Sequence, residues 1–219
     1  MPDFCRAFFF GGTHMNRKKI RWLSSVAILS SLATVTMLIE FPLFFAPNFY
    51  KMDFSEVPVM IGAFALGPIA AVVIEAIKII LNFALNGTDT FGIGEIANFL
   101  MGIAFTLPAA ILYRRHRNKK SALIGLGIGI VSLAILGSVL NAFVLLPVYA
   151  VAYGAQVSDF VAMGSAINPA ITNLTGFIML AVLPFNLLKG ISVSAIVLLL
   201  YKRVSFLIHG KEEVIDEIE

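Results

Sequence analysis

The stretch DFSEVPVMIGAFALGP, residues 53–68, decides how the chain is divided. Asp53 or Ser55 can cap the free amides of a helix start, and Pro58 suits a first turn. From Val57 the run stays apolar to Leu66, where Gly67-Pro68 breaks it. It is short for a membrane crossing, which takes about 20 residues. Counted as a span, slightly extended by what precedes it, it makes six with five longer apolar runs: Ile20–Ile39, Ile69–Leu85, Ile93–Tyr113, Ala122–Tyr149 and Pro184–Tyr201. The breaks between them are Glu40 with the proline-rich FPLFFAPNFYK, then Asn86-Gly87-Thr88-Asp89, then RRHRNKK, then a polar stretch with Gln156, Ser158 and Asp159. The apolar region from Ile171 to Tyr201 exceeds one upright crossing, and Pro184 divides it. Pro184–Tyr201 has 18 residues, about 27 Å of helix, close to the thickness of a hydrocarbon core. Residues 160–183 then read as a partly helical segment capping the outer face, with a longer helix kinked at Pro184 as the alternative.

Composition supports this division. Of 219 residues, 59% are hydrophobic and 13% charged, with a mean hydropathy of +0.92. Soluble domains are about 45–50% apolar and about 25% charged, so a soluble globular enzyme and a disordered chain are both excluded. One cysteine, Cys5, excludes a disulfide framework and any cysteine-rich metal site. The net charge of +3 does not indicate nucleic acid, because the basic residues stand at the ends of apolar runs. Residues 1–14 lack the long apolar core and small-residue cleavage site of a signal peptide. Residues 1–16 read as a disordered tail or extension, 17–209 as a six-helix membrane domain, and 210–219 as an acidic cytoplasmic tail.

Lysine and arginine orient the spans. Arg17, Lys18, Lys19 and Arg21 precede span one. Arg114, Arg115, Arg117, Lys119 and Lys120 separate spans four and five, and Lys202 and Arg203 follow span six. With six spans all three groups fall on one side, which is cytoplasmic, as are both termini. The long segments Phe41–Met52 and Ala150–Asn168 are then external loops. Long loops tend to be functional, so a site open to the outside is the first functional inference.

Ionisable residues within or near the ends of spans need a reason, because a charge at the bilayer centre costs about 2.5–3.5 kcal/mol on insertion scales. Glu75 and Lys78 can pair at helical spacing, as structural charges within the bundle. Lys189 has no acidic neighbour on its own span and shares a face with Asn186, and this pair reads as a ligand contact. Asn82 and Asn173 suit hydrogen bonds between helices. For Asn98 and Asn141, in outward halves, packing and ligand binding stay open. The rings of Phe41, Phe44, Phe45, Phe49 and Tyr50 suit an interfacial belt, a lid over a flat apolar ligand, or both. Ala27 and Ser31 form a small-xxx-small pair that admits another helix, and Gly125 and Gly129 form a second one, suited to packing within the bundle. No phosphate-binding GxxxxGK[ST] motif, HExxH motif or paired acidic motif is present, so no catalytic machinery is visible.

The order of these features resembles the riboflavin-specific S component of energy-coupling factor (ECF) vitamin transporters. DFSEVP followed by G-x-x-x-x-GP at Gly62–Pro68 carries the resemblance, with PFNLLKG at 184–190 in support, and it covers roughly Arg17–His209. It implies a multi-pass protein of the bacterial cell membrane that has no ATPase of its own. Such a protein binds riboflavin, or a flavin nucleotide, as transported substrate rather than cofactor. It docks on a transmembrane coupling protein and two ABC-type ATPases, and topples to carry its vitamin inward. The small-residue docking motif of span one maps onto Ala27 and Ser31. Asn186 and Lys189 match the PFNLLKG motif as substrate contacts. Asn141, Asn98 and Glu40 are placed at the substrate by topology, and Phe45 by the aromatic loop. Other readings are an S component for another nutrient, a membrane-embedded lipid-modifying enzyme, and a structural subunit.

Overall fold

The structure is a computed structural model that describes residues 17–88 and 92–209, with side chains through 200. The sequence readings for residues 1–16 and 210–219, and for the side chains of Lys202 and Arg203, lie outside the described residues. Helix α1 (Arg17–Leu38) is followed by a two-stranded hairpin, β1 (Phe41–Pro42) with β2 (Lys51–Met52), in which Phe41 faces Met52 and Pro42 faces Lys51. Then come α2 (Glu56–Leu66), α3 (Pro68–Asn86), α4 (Ile93–Arg115) and α5 (Lys119–Leu140). A π turn (Asn141–Leu145) continues α5 into α6 (Leu146–Ala152). After α7 (Val157–Ile167) and α8 (Leu174–Phe177), a second π turn (Ile178–Val182) leads into α9 (Leu183–His209).

Among the described residues, five helical runs are long and apolar enough to cross a membrane: Arg17–Leu38, Pro68–Asn86, Ile93–Arg115, Lys119–Ala152 and Leu174–Leu200. Only 28–39% of each apolar window is buried inside the chain. Ile28, Ile80, Ile96, Ile135 and Leu199 point outward, while Glu75 and Lys78 are buried at 0% and 1% exposure. Apolar residues outside and charges inside are what lipid requires of a bundle. Helix α2 has 11 residues, about 16 Å of rise, which is about half the thickness of a hydrocarbon core.

The main core joins Ala33 of α1, Val59 and Met60 of α2, Ile74 of α3, Phe105 and Ala109 of α4, Leu126 of α5 and Val193 of α9. Helices α4 and α5 lie closest. A Cβ added at Gly125 would stand 2.9 Å from the Ala109 Cα, and one at Gly129 would strike the Phe105 carbonyl oxygen. The GxxxG of span five therefore packs inside the bundle. A second cluster of Leu146, Phe160, Ile171, Phe177 and Val182 covers the end away from Arg114–Lys120.

Two expectations are corrected. The segment 150–168, expected as a long loop that turns partly helical from residue 160, is helical already from Val157, because α7 occupies most of it. A capping box starts that helix: the Gln156 side chain accepts from the Asp159 amide, and the Asp159 carboxylate accepts from the Gln156 amide. The last crossing does not begin at Pro184 but follows the alternative of a longer helix. It begins at Leu174, and the chain passes the proline without ending the helix. Pro147 and Pro184 each stand two residues after a π turn. A proline ring clashes with the carbonyl four residues back, and a wide turn relieves that clash.

Gly129→Ala is expected to lower the melting temperature of the detergent-solubilised protein by several degrees, since overpacking costs about 1–3 kcal/mol. Gly127→Ala, on the same helix but facing open space, is expected to leave it unchanged. Equal melting of the two variants would mean that α4 and α5 do not approach this closely.

Candidate functional site

At the end away from Arg114–Lys120 the helices part around a cavity of about 570 Å³. It lies among the C-terminal ends of α1 and α3, the start of α4, the π turn after α5, and the first turns of α9. That size suits a small organic ligand. Met101, Phe105, Leu133, Leu145 and Phe185 supply apolar wall, and Asn82, Asn98, Asn141 and Asn186 supply amides.

A buried ionic cluster forms the floor and one side. Lys78 Nζ stands 2.8 Å from Glu56 Oε1 and 2.6 Å from Glu75 Oε1, so the pairing of Glu75 with Lys78 is present and Glu56 joins it. Glycine is required at position 102, where a Cβ would enter the Glu75 carboxylate.

Lys189 is not the unpaired cation that the sequence suggests. Its Nζ donates to Asp53 Oδ2 at 2.8 Å, and Asp53 Oδ1 accepts from the Ser55 amide at 2.8 Å. The carboxylate thus holds the lysine at the cavity wall and turns the chain into α2. Burial alone would raise the Asp53 pKa, but Lys189, then Lys78, bring it down to about 2. Helical spacing could not reveal this pair, whose members are 136 positions apart.

Two of the asparagines are set by backbone bonds. Asn141 Nδ2 donates to the Gly137 carbonyl at 2.8 Å, and Asn186 Nδ2 to the Val182 carbonyl at 3.0 Å. Gly137 links them, because a Cβ there would lie 2.6 Å from Asn186 Nδ2. Asn186 Oδ1 accepts no hydrogen bond among the described residues, so it is available to a ligand donor. Asn98 lines the cavity as well. Asn82, read as an interhelical bond, instead lines the cavity, with its buried Oδ1 unpartnered among the described residues. Asn173 caps α8 by accepting from the Gly176 amide.

The aromatic segment closes one side, with a different ring from the one expected. Phe45 does not line the cavity; it packs on Ala46, Met52 and Phe185. Phe49 and Tyr50 line it instead, with ring centroids 4.6 Å apart. Phe49 meets Phe160 edge-on at 5.7 Å, and Tyr50 lies 5.5 Å from Phe185. The Tyr50 hydroxyl donates to Asn141 Oδ1. Burial, then Tyr149, raise its pKa, so it stays a donor. Glu40 lines the rim, paired with Lys51 across the hairpin. Ala27 and Ser31 are far from this cavity, exposed on α1. The Ser31 hydroxyl donates to the Ala27 carbonyl at 2.9 Å, so the serine satisfies itself and the face stays small and flat.

A family model described as the substrate-specific component of ECF transporters matches residues 22–201. The riboflavin transporter RibU of Staphylococcus aureus is 34% identical over 89% of this chain and 96% of its own. The riboflavin transporter FmnP of Bacillus subtilis is 34% identical over 84% of this chain and 91% of its own. A solved S component of a bacterial ECF transporter superposes with a TM-score of 0.68 at 32% identity, over 87% of this chain and 99% of that one.

Lys189→Met leaves the Asp53 carboxylate buried without its cation. At neutral pH it is expected to destabilise the fold by about 3–5 kcal/mol, and Asp53→Asn with Lys189→Met is expected to recover most of that loss. In the parent the Asp53 pKa is depressed, so its stabilisation is complete above about pH 4 and disappears as pH falls toward about 2. Thermal melts of parent, single and double variants across pH measure both effects. A single variant as stable as the double would remove Asp53 as the lysine's partner.

Proposed function

Because the chain belongs to the substrate-specific components of ECF transporters, we propose that it binds riboflavin in the cavity between α1, α3, α4, α5 and α9 and delivers it to an ATP-hydrolysing ECF module. Members of this family bind substrate and are not enzymes, which sets aside the lipid-modifying reading. The observation that carries the assignment is the pairing of aromatic and apolar walls with fixed amides in one cavity. Riboflavin has a ring system with apolar faces and a uracil-like edge that needs both donors and acceptors. Phe49, Tyr50 and Phe185 suit the faces. Asn82, Asn98, Asn141 and Asn186 suit the edge and the hydroxylated side chain.

The charges favour riboflavin over its phosphates. Glu40, Asp53, Glu56 and Glu95 line the cavity against Lys51 and Lys189. Both lysines are already in ion pairs with carboxylates. A phosphate entering this cavity meets more carboxylate than free ammonium.

The binding unit is residues 17–209 of a multi-pass protein of the bacterial cell membrane, with α2 as the short sixth membrane segment. Six segments put both termini and the Arg114–Lys120 group in the cytoplasm. The cavity and the hairpin then face outward. The exposed Ala27–Ser31 face, flanked by Ile28, Leu32 and Val35, serves as the docking face for the transmembrane coupling protein of the module, which carries two ABC-type ATPases. Small side chains allow the close approach.

Purified chain is expected to quench riboflavin fluorescence saturably, and riboflavin phosphate far more weakly. Asn186→Leu is expected to weaken riboflavin binding about tenfold, the worth of one hydrogen bond in a closed site. No quenching by riboflavin, with saturable binding of another vitamin, would transfer the chain to another substrate. Ala27→Trp and Ser31→Trp are expected to abolish uptake in cells carrying the module while leaving binding by the isolated chain intact. Loss of both together would make that face internal.

A further inference from the structure

A second cavity, of about 290 Å³, lies at the opposite end of the molecule. It opens where the start of α1, the α2–α3 elbow and the end of α4 converge. Trp22, Phe64, Leu66 and Ile69 form its apolar side, and Arg114 and Arg117 its polar side. Among the described residues its lining has no acidic side chain, whereas the substrate cavity has four. The elbow at Gly67 (φ 95°) gives α3 no side-chain cap. Two guanidiniums beside a tryptophan and an aliphatic wall, at the end of a lipid-facing bundle, match an amphiphilic anion. Arginine binds phosphate oxygens through paired N–H donors. Indole rings favour the boundary between hydrocarbon and headgroups. Basic recesses between membrane helices are suited to acidic lipid headgroups.

We propose that this cavity is a binding site for a phosphate group, carried by an anionic phospholipid or free in solution, held by Arg114 and Arg117 with the lipid chain or the solvent side against Trp22. It is separate from the substrate cavity and does not depend on which vitamin that cavity takes. Trp22 is the chain's one tryptophan, so its emission reports on this cavity alone.

The test titrates the full chain in neutral detergent micelles with phosphatidylglycerol, phosphatidylcholine or sodium phosphate while reading Trp22 emission. A saturable change with phosphatidylglycerol and none with phosphatidylcholine or phosphate assigns the site to an anionic lipid. A saturable change with sodium phosphate as well assigns it to the phosphate group itself. In either case Arg114→Gln with Arg117→Gln is expected to weaken the response about tenfold or more, with helical circular dichroism unchanged. Arg114→Gln alone serves if the double variant loses helicity, with a smaller weakening expected. Equal responses to phosphatidylglycerol and phosphatidylcholine, no response to any probe, or parental affinity in a well-folded variant would overturn the proposal.

Discussion

The rest of the molecule depends on ion pairs buried within the bundle and along the cavity wall. Lys78 lies between Glu56 and Glu75, and Lys189 holds Asp53. In a bundle whose outer surface is apolar, Glu75 and Lys78 have no contact with solvent, and Asp53, Glu56 and Lys189 meet it only at the cavity wall, so both lysines are met by carboxylates from other elements. Meeting them draws the segment before α2, α2 itself, α3 and α9 together. Compared with a well-packed apolar core such pairs add little stability. What they supply is register, because a slip of one turn in α3 or α9 would strand a charge. The floor of the substrate cavity and the anchoring of the hairpin both follow from that register.

Much of the layout could be read from the sequence because its punctuation is local. Gly67-Pro68, Asn86-Gly87 and Arg114–Lys120 stand within a few residues of observed helix ends. Glu75 and Lys78 were visible as a pair because they are three positions apart. The link from Asp53 to Lys189, and from Glu56 to Lys78, crosses elements and leaves no trace in spacing. The sequence marks a partly helical segment only from residue 160 and not the start of α7, because the capping box there opens with glutamine, not the usual serine or threonine. Phe45 was chosen over Phe49 and Tyr50 because composition identifies an aromatic loop without saying which rings turn inward. Here the turns at Leu43–Ala46 and Pro47–Tyr50 decide that.

The two π turns show how one constraint can both disturb a helix and build a site. Each lies just ahead of a proline, and each borders a cavity asparagine: Asn141 opens the first, and Asn186 follows the second by one turn. Both amides donate back to a carbonyl four residues earlier. The Tyr50 bond to Asn141 then ties the aromatic loop to the first of them. Pro184 alone does not mark a terminus, since a wide turn lets the helix continue past a proline, which is the longer-helix alternative.

Helix α2 runs from the floor of the larger cavity, at Glu56, to the elbow bordering the smaller one, at Gly67. Its 11 residues are all that separate the two along this line. Val59 and Met60 are wholly enclosed, and Ala63 and Phe64 nearly so. That layer is a bulkhead. Anything seated in the larger cavity therefore rests on a closed floor that faces Arg114–Lys120.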